Sequence, residues 1–361
     1  MKVALVHDHL LQIGGAEHVL KELVKLYPAS PIYTLLAGPE SRNFFTGTKI
    51  IESGLTKWPG AYNHLKWYLW AMPTFWEQFD FSNYDAVLSS TSAFCKGIVT
   101  STHVKHFCYC HTPTRYLWSD THQYVEDLPQ NRIVKKILPF VLTWLRQWDW
   151  SAAQRVDYFI ANSNFIASRI KKYYGRDSVV IYPPVNVSQF SPAIKEKENY
   201  FVVVGRLRPY KRVDLVIKAF NQLGLPLKVI GGGEELVRLQ ALAKSNVEFL
   251  GELPDFERNK ILQHAKAFIH PQEEDFGIAA VEAMAAGTPV IAYQAGGALE
   301  SVIEGVSGTF FKEQTWESLV DAVLRFDFKQ FDPAAIQAYA QKFSQERFLK
   351  EMGEYIESRL H

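Results

Sequence analysis

The chain has 361 residues, of which 47% are hydrophobic and 21% are charged, and at roughly 150 residues per domain this length predicts two globular domains. Lys and Arg number 39 against 38 Asp and Glu, so the net charge of +1 argues against a dedicated nucleic-acid binder. No apolar stretch reaches the ~18 residues that span a bilayer, and the first residues lack the pattern of a signal peptide. The three cysteines are too few for a disulfide framework or a zinc site. We therefore expect a cytoplasmic protein.

Short β-branched runs alternate with helical patterns along the whole sequence, which predicts an α/β fold with parallel sheets. Predicted strands in the first half cover residues 2–6, 31–34, 85–89, 104–109, 157–161 and 179–182. Predicted helices there cover residues 16–26, 133–154 and 164–174. The cycle restarts after a proline-containing polar join at 183–198, with strands at 200–204, 227–230, 247–250, 267–270 and 289–292 and helices at 211–223, 234–243, 278–286 and 344–360.

The two halves differ in charge and in aromatic content. Residues 1–185 contain 19 Lys and Arg against 14 Asp and Glu, whereas the remainder is net acidic. Eight of the nine tryptophans also lie in this first part. Segments 57–72 and 135–150 mix Trp with Lys, as interfacial helices do, which favours peripheral contact with an anionic membrane. Packing in a domain core and in the wall of a binding cleft is an equally good interpretation of these tryptophans.

Glycines and cations follow several predicted strands, where parallel sheets bind ligands. Gly14 and Gly15 open a helix and would let a phosphate approach its N-terminus, although a structural turn fits equally well. Arg206 and Lys211 follow the first strand of the second half, and such a pair suits a diphosphate; a solvated basic loop is the alternative. The loop at Gly231 and Gly232 would expose backbone groups to a nucleobase or ribose; a tight structural loop without a ligand is the alternative.

The most informative segment joins an acidic loop to a short helix. Backbone N–H groups at the positive end of this helix would bind a nucleotide phosphate, and its carboxylates would accept hydrogen bonds from sugar hydroxyls. Acidic capping of the helix is the alternative for the residues before it. Glu282 resists that alternative because an acid one turn inside an apolar helix is costly to bury without a partner. The predicted site residues here are Glu274, Asp275, Phe276, Gly277, Ile278 and Glu282.

The sequence resembles the retaining glycosyltransferases of the large GT4 family along essentially its whole length. Glu274 and Glu282 match the E-x7-E motif of that family, which continues through the segment EAMAAGTPVIA. The segments GRLRPYK, VIGGGEE and IYPPVNVSQF are also similar, and HDHLLQIGGAEHVL and CYCHTPTRYLW resemble a bacterial subgroup often assigned to mannosyl transfer in polysaccharide assembly. The resemblance implies the GT-B fold, in which two Rossmann-like parallel-sheet domains face each other across a cleft.

The resemblance also implies domain roles. Residues 1–185 would bind the acceptor, residues 186–343 would bind the nucleotide-sugar donor, and a helix at 344–361 would cross back to the first domain. Arg206 and Lys211 would then bind the donor diphosphate, with Gly14 and Gly15 closing over it. His111 would line the sugar-side cleft, although a structural histidine is its alternative interpretation, as it is for His103 and His106.

Within the second domain, the resemblance assigns the ribose hydroxyls to Glu282 and a hydroxyl of the transferred sugar to Glu274. Backbone amides of the loop after Glu274 would face the sugar and the phosphates. The predicted catalytic residues are His111, Glu274, Arg206 and Lys211, and the predicted donor-binding residues also include Gly14, Gly15, Gly231, Gly232, Asp275, Phe276, Gly277, Ile278 and Glu282.

The expected reaction needs no metal or other cofactor. No Asp-x-Asp motif occurs in the sequence, so a carboxylate site for a metal-bound diphosphate is not evident. We expect transfer of a hexose, with GDP-mannose favoured over UDP-glucose, to a lipid-linked oligosaccharide or other glycan acceptor. The alternatives are a nucleotide-sugar-binding protein without activity and a nucleotide-sugar epimerase on the same fold.

Overall fold

The computed structural model describes residues 1–121, 125 and 132–360 and divides the chain into two units. The first unit comprises Met1–Tyr182 and Phe348–His361, and the second comprises Pro183–Arg347. All pairings between the strands named below are parallel. The predicted α/β class with two parallel sheets is therefore confirmed.

In the described residues, the first sheet has seven strands in the order β3-β2-β1-β4-β5-β6-β7. The chain starts at the centre of this sheet, moves to one edge and then returns past β1 to build the other half. The strands are β1 (Val3–His7), β2 (Ile32–Thr34), β3 (Ile50–Glu52), β4 (Ala86–Thr91), β5 (Lys105–Cys110), β6 (Tyr158–Ala161) and β7 (Ser178–Val180). The order reverses between β1 and β4, where open sheets of this kind bind ligands.

The second sheet repeats this plan with six strands in the order β10-β9-β8-β11-β12-β13. Its strand order reverses between β8 and β11, so the second unit has its own candidate binding edge at their carboxyl ends. The strands are β8 (Phe201–Val204), β9 (Leu227–Ile230), β10 (Val247–Gly251), β11 (Phe268–His270), β12 (Val290–Tyr293) and β13 (Gly308–Phe311).

Some of the helices begin and end at capping residues that the sequence supplies. Ser163 accepts a hydrogen bond from the Ile166 N–H (3.1 Å), and Gly175, with φ of +68°, ends the same helix in the left-handed conformation. None of the described helices is both long and apolar enough to cross a membrane. The described α-helices are Gly15–Leu26, Pro39–Phe44, Met72–Glu77, Arg132–Gln154, Asn164–Tyr174, Val213–Leu223, Leu236–Leu242, Asp255–His264, Ile278–Ala285, Ala298–Ser301, Trp316–Arg325, Pro333–Ala340 and Gln345–Leu360.

The central strands are buried on both faces, and successive residues enter opposite cores. In β1, Ala4 and Val6 join one hydrophobic cluster, whereas Val3 and Leu5 join the other. The last helix adds an apolar stripe to the second cluster through Phe348, Met352 and Ile356. This confirms the prediction that the C-terminal helix returns to the first unit.

Two strands were absent from the sequence prediction. They are β3 and β13, which lie at the edges of their sheets. Each is short, with three and four residues, and each is only partly buried, so neither shows a long β-branched run. Pairing with a neighbouring strand defines them, and that information is not local.

Candidate functional site

The candidate site of the second unit lies where the strand order reverses. Arg206 follows β8, and the acidic loop follows β11, the neighbouring strand. Because the carboxyl ends of adjacent parallel strands meet at one edge, two segments more than 60 residues apart in sequence are brought together. The cations and the carboxylates that the sequence singled out therefore share one edge of the second sheet.

Lys211 and Glu274 form a direct ion pair at this edge. Their side chains are only 18% and 16% exposed, so the contact is largely shielded from water. The Lys211 ammonium also lies 5.3 Å from the centre of the Tyr210 ring. The sequence assigned separate roles to these residues, whereas the structure couples them, because any anion that binds Lys211 competes with Glu274.

The loop after Glu274 is fixed by glycines that no larger residue could replace. Gly277 has φ of +90° and precedes the helix Ile278–Ala285. A Cβ on Gly297 would lie 2.3 Å from the Phe276 Cα, and its N–H donates to the Glu274 carbonyl (2.8 Å). The Phe276 ring is buried in the core of the unit, 5.4 Å from the Phe343 ring. The backbone of the predicted phosphate-binding loop is thus held from both sides.

Glu282 has a partner that the sequence did not reveal. Arg258 lies on the helix Asp255–His264 and donates from Nη2 to the Glu282 carboxylate (3.3 Å). Its Nη1 also contacts Asp255 at 3.1 Å. Burial raises the pKa of Glu282, and the Arg258 charge opposes this rise. The expected cost of an acid inside this helix is therefore offset in part by Arg258, 24 residues earlier in the chain.

The glycine loop after β9 has a clear structural requirement. A Cβ on Gly231 would lie 2.0 Å from the Gly205 carbonyl oxygen, and one on Gly233 would lie 2.5 Å from that of Leu207. The Leu207 N–H donates to the Gly232 carbonyl (2.8 Å), so this loop pairs with the one that carries Arg206. Tight packing explains the glycines, and a role for Gly231 and Gly232 in donor binding stays a prediction.

His270 is a further member of this edge that sequence analysis missed. It ends β11 and is fully buried. Its ring packs against Gly277 and lies only 3.2 Å from the position that a Cβ on Gly277 would occupy. Burial lowers the pKa of His270 to about 3, and the Lys211 charge adds to this effect. Within the described part of the chain its Nε2 has no hydrogen-bond partner, whereas Nδ1 lies 3.4 Å from the Gln272 amide.

In the first unit, His111 belongs to a buried polar chain that starts at a carboxylate. Glu17 Oε1 lies 3.4 Å from His7 Nε2, His7 Nδ1 lies 3.2 Å from Ser90 Oγ, and Ser90 Oγ lies 2.8 Å from His111 Nε2. His7 ends β1 and pairs in register with Ser90 of β4, at the point where the strand order reverses. Burial, followed by the nearby His7, lowers the pKa of His111 to about 4.

Asp8, the residue after β1, anchors the loop that follows β4. Its two carboxylate oxygens accept hydrogen bonds from four consecutive backbone N–H groups, Ser92 to Cys95, at 2.6–2.8 Å. Burial opposes its ionisation, but these backbone hydrogen bonds help to lower the pKa of Asp8 overall. The sequence singled out neither Asp8 nor Glu17, His7 and Ser90, the residues that lead to His111.

The remaining predicted residues of the first unit lie at the expected elements. Gly14 is the extended N-cap of the helix Gly15–Leu26, and its carbonyl accepts from the His18 N–H (3.0 Å). His106 is buried and bonds Ser89 Oγ through Nε2 (2.8 Å), as a structural histidine would. Contact of Gly14 and Gly15 with a phosphate stays a prediction.

The tryptophans divide between the core and the surface. Trp76 is fully buried, whereas Trp67 and Trp70 are 63% and 54% exposed. On the helix Arg132–Gln154, Phe140 is 78% exposed and Trp144 is about half exposed. The first unit therefore carries apolar side chains in contact with solvent in both segments for which a membrane contact was predicted.

The three cysteines are buried and form no disulfide. Burial raises the pKa of the Cys108 thiol to about 12, so the group is protonated and packs as a small apolar side chain. Among the described residues, no group of three or more His, Cys, Asp or Glu side chains is arranged to hold a metal ion.

Two sequence models of protein families match the chain. The model described as Glycosyltransferase Family 4 matches residues 13–189, and that described as Glycosyl transferases group 1 matches residues 185–343. Together they match residues 13–343, which include parts of both units.

Curated relatives show moderate identity over part of their length. The chain is 26% identical over 290 residues to alpha-1,3/1,6-mannosyltransferase ALG2 of Mus musculus, covering 69% of this chain and 66% of that protein. It is 30% identical over 197 residues to D-inositol 3-phosphate glycosyltransferase of Mycobacterium marinum, covering 47% of this chain and 42% of that protein. The matches thus span less than two thirds of these relatives.

A solved structure resembles the whole chain. The crystal structure of Anabaena Alr3699/HepE in complex with UDP superposes with a TM-score of 0.74 at 19% identity, covering 99% of this chain and 100% of that chain. At this identity the similarity concerns the fold, and it agrees with the architecture predicted from the sequence.

Proposed function

Because the chain belongs to the GT4 family of glycosyltransferases and has the GT-B fold, we propose that it transfers a hexose from a nucleotide sugar to a glycan or lipid-linked acceptor. The observation that carries this proposal is the cluster of Lys211, Glu274 and Gly277 at the reversal point of the second sheet. It combines a cation, a carboxylate and a helix N-terminus, which are the groups that a sugar diphosphate requires.

The chemistry of the leaving group assigns roles to the cations. As the bond between the anomeric carbon and the diphosphate breaks, negative charge grows on the phosphate oxygens. Lys211, Arg206 and the N-terminus of the helix Ile278–Ala285 would stabilise this charge without rearranging solvent. Glu274, released from Lys211 by the incoming phosphate, would accept a hydrogen bond from a hydroxyl of the transferred sugar.

We propose that the reaction retains the anomeric configuration. The acceptor hydroxyl would form its bond to the anomeric carbon on the face from which the diphosphate departs, and its proton would pass to a phosphate oxygen. Glu282 would bind the ribose hydroxyls, with Arg258 orienting its carboxylate. No carboxylate needs to act as a nucleophile in this scheme, and neither a metal nor another cofactor takes part.

GDP-mannose is the proposed donor and UDP-glucose is its rival. The segments HDHLLQIGGAEHVL and CYCHTPTRYLW support mannose, and one relative, ALG2, is a mannosyltransferase by name. The similar HepE structure contains UDP, but that similarity supports only the fold. Backbone groups around Gly231 and Gly232 would contact the base.

Peripheral contact with a membrane would suit a lipid-linked acceptor. Its support is the exposure of Trp67, Trp70, Phe140 and Trp144, together with the basic charge of the first half of the sequence. We place the contact at the cytoplasmic face, where nucleotide sugars are the donors.

The test incubates the protein with labelled GDP-mannose or UDP-glucose and a panel of glycan and lipid-linked acceptors, with and without EDTA. Transfer with an α-linked product supports the proposal, whereas an inverted product refutes retention. Binding without transfer indicates a sugar-nucleotide-binding protein, and an altered free nucleotide sugar indicates an epimerase. Loss of activity in EDTA that added metal restores would refute the metal-free scheme.

A further inference from the structure

Two buried side chains, His7 and Ser90, connect the Glu17 carboxylate to His111 inside the first unit. We call Glu17, His7, Ser90 and His111 the buried polar chain. All four are less than 10% exposed, and three hydrogen bonds of 3.4, 3.2 and 2.8 Å join them in this order. Glu17 lies on the helix Gly15–Leu26, His7 ends β1, Ser90 lies on β4 and His111 follows β5.

The direction of these hydrogen bonds follows from the carboxylate. An ionised carboxylate only accepts, so His7 must donate to Glu17 from Nε2. A neutral His7 then has a bare Nδ1, which accepts from the Ser90 hydroxyl. The Ser90 oxygen in turn accepts from His111 Nε2. Each donor therefore fixes the next, and the proton of the His111 ring is held on Nε2.

The charge states that this direction requires agree with the surroundings. Burial opposes ionisation of Glu17, but the hydrogen bond from His7 lowers the pKa of the carboxyl below its ordinary value. The low pKa of His111 keeps its ring neutral at physiological pH. The Asn162 side-chain amide donates to the His111 carbonyl (2.9 Å), and the His111 backbone N–H donates to the Thr91 carbonyl (2.8 Å). The backbone of His111 is therefore fixed as well.

We infer that Glu17, His7 and Ser90 are positioning residues that hold His111 with an unprotonated Nδ1, so that this nitrogen accepts a hydrogen bond from a sugar hydroxyl. The hydroxyl belongs either to the transferred hexose or to the acceptor. The inference rests on the proposed function for the identity of the ligand. The state of the ring, however, is a property of the first unit and can be measured without activity.

The first experiment is ¹⁵N NMR of the histidine-labelled full chain, with His111 assigned from the spectrum of His111→Gln. In the wild type we expect a protonated Nε2 and a bare Nδ1. Glu17→Gln removes the charge that sets the direction, since an amide can either donate or accept, and both tautomers should then appear. A wild-type ring protonated on Nδ1, or a His111 signal that Glu17→Gln leaves unchanged, would overturn the inference.

The second experiment compares two serines on the same strand. Ser90→Ala breaks the chain, whereas Ser89→Ala removes an equivalent hydrogen bond to His106 (2.8 Å) outside it. Both should destabilise the fold similarly. Ser90→Ala should also lower kcat by roughly 3- to 10-fold, the effect of one neutral hydrogen bond, with unchanged affinity for the nucleoside diphosphate. Ser89→Ala should leave kcat unchanged, and equal kcat values for the two variants would overturn the inference.

Two further assays identify the hydroxyl. If His111 binds the transferred hexose, Ser90→Ala will slow the hydrolysis of the donor by water in the absence of acceptor. If it binds the acceptor, Ser90→Ala will raise the KM of the acceptor and leave this hydrolysis unchanged. An effect on neither quantity contradicts the inference. Absence of any transfer or hydrolysis by the wild type, together with the expected tautomer, would instead refute the proposed function and leave the ring geometry established.

Discussion

Lys211 and Glu274 should respond in opposite ways when each is replaced, because they are paired with each other before any ligand binds. A diphosphate that reaches Lys211 must displace the Glu274 carboxylate. Lys211→Met removes the cation, so it should weaken binding of the nucleoside diphosphate. Glu274→Gln removes the competing anion, so the same ligand should bind more tightly even though transfer becomes slower.

The magnitudes follow from the exposure of the pair. A hydrogen bond to a charged group contributes about 1.5–3 kcal/mol. Because the diphosphate replaces the Glu274 carboxylate on Lys211, only part of this free energy appears as binding. We therefore expect Lys211→Met to weaken binding by about 1–2 kcal/mol, or roughly 5- to 30-fold. With side chains less than one fifth exposed, the pair is screened less than a surface pair. Glu274→Gln should tighten binding by about 0.5–1 kcal/mol, roughly 2- to 5-fold.

Calorimetric titration with GDP, UDP and the corresponding nucleosides measures these effects directly. The nucleosides lack the phosphates, so their affinities should not change in either variant. Arg208→Met is the matched control, because it removes an exposed cation from the same loop and should leave diphosphate binding nearly unchanged. Weaker diphosphate binding by Glu274→Gln, or equal losses for nucleoside and diphosphate in Lys211→Met, would refute the competition.

Three further predictions concern the second carboxylate, a buried ion pair and pH. Glu282→Gln should raise the donor KM about tenfold with little change in kcat, because it removes an interaction that is equally strong in the ground and transition states. Arg258→Gln should have the same effect, and steady-state kinetics measures both variants. Asp149→Asn leaves the fully buried Lys96 without its counter-ion and should cost about 3–5 kcal/mol of unfolding free energy, measured with urea. Burial lowers the pKa of His106 from 6.5 to about 3, so the unfolded chain binds more protons between these values. Stability should therefore fall as the pH falls through that window, by at most about 1.4 kcal/mol per unit, and less steeply in His106→Gln; equal urea midpoints at pH 7 and pH 5 would contradict this.

The sequence by itself determined the local elements of both units and the identity of the acidic loop. The helix Asn164–Tyr174 and the strand Leu227–Ile230 begin and end where the sequence predicted them, because capping residues and β-branched runs act over a few neighbouring positions. The same local chemistry singled out Glu274 and Gly277, since glycine and acidic residues stand directly before a short apolar helix.

Only the tertiary structure decided which of these groups meet. Lys211 reaches Glu274, Arg258 reaches Glu282, and His7 lies beside Ser90, although each pair is separated by a stretch of chain whose length the local pattern does not constrain. The order of strands brings the first and third of these pairs together, because it places β8 beside β11 and β1 beside β4. Edge strands depend on that order in the same way, and the Arg258–Glu282 pair depends on how two helices pack. Hydrophobic periodicity reports which face of an element is buried, but the partner buried against it is fixed only when the sheet assembles.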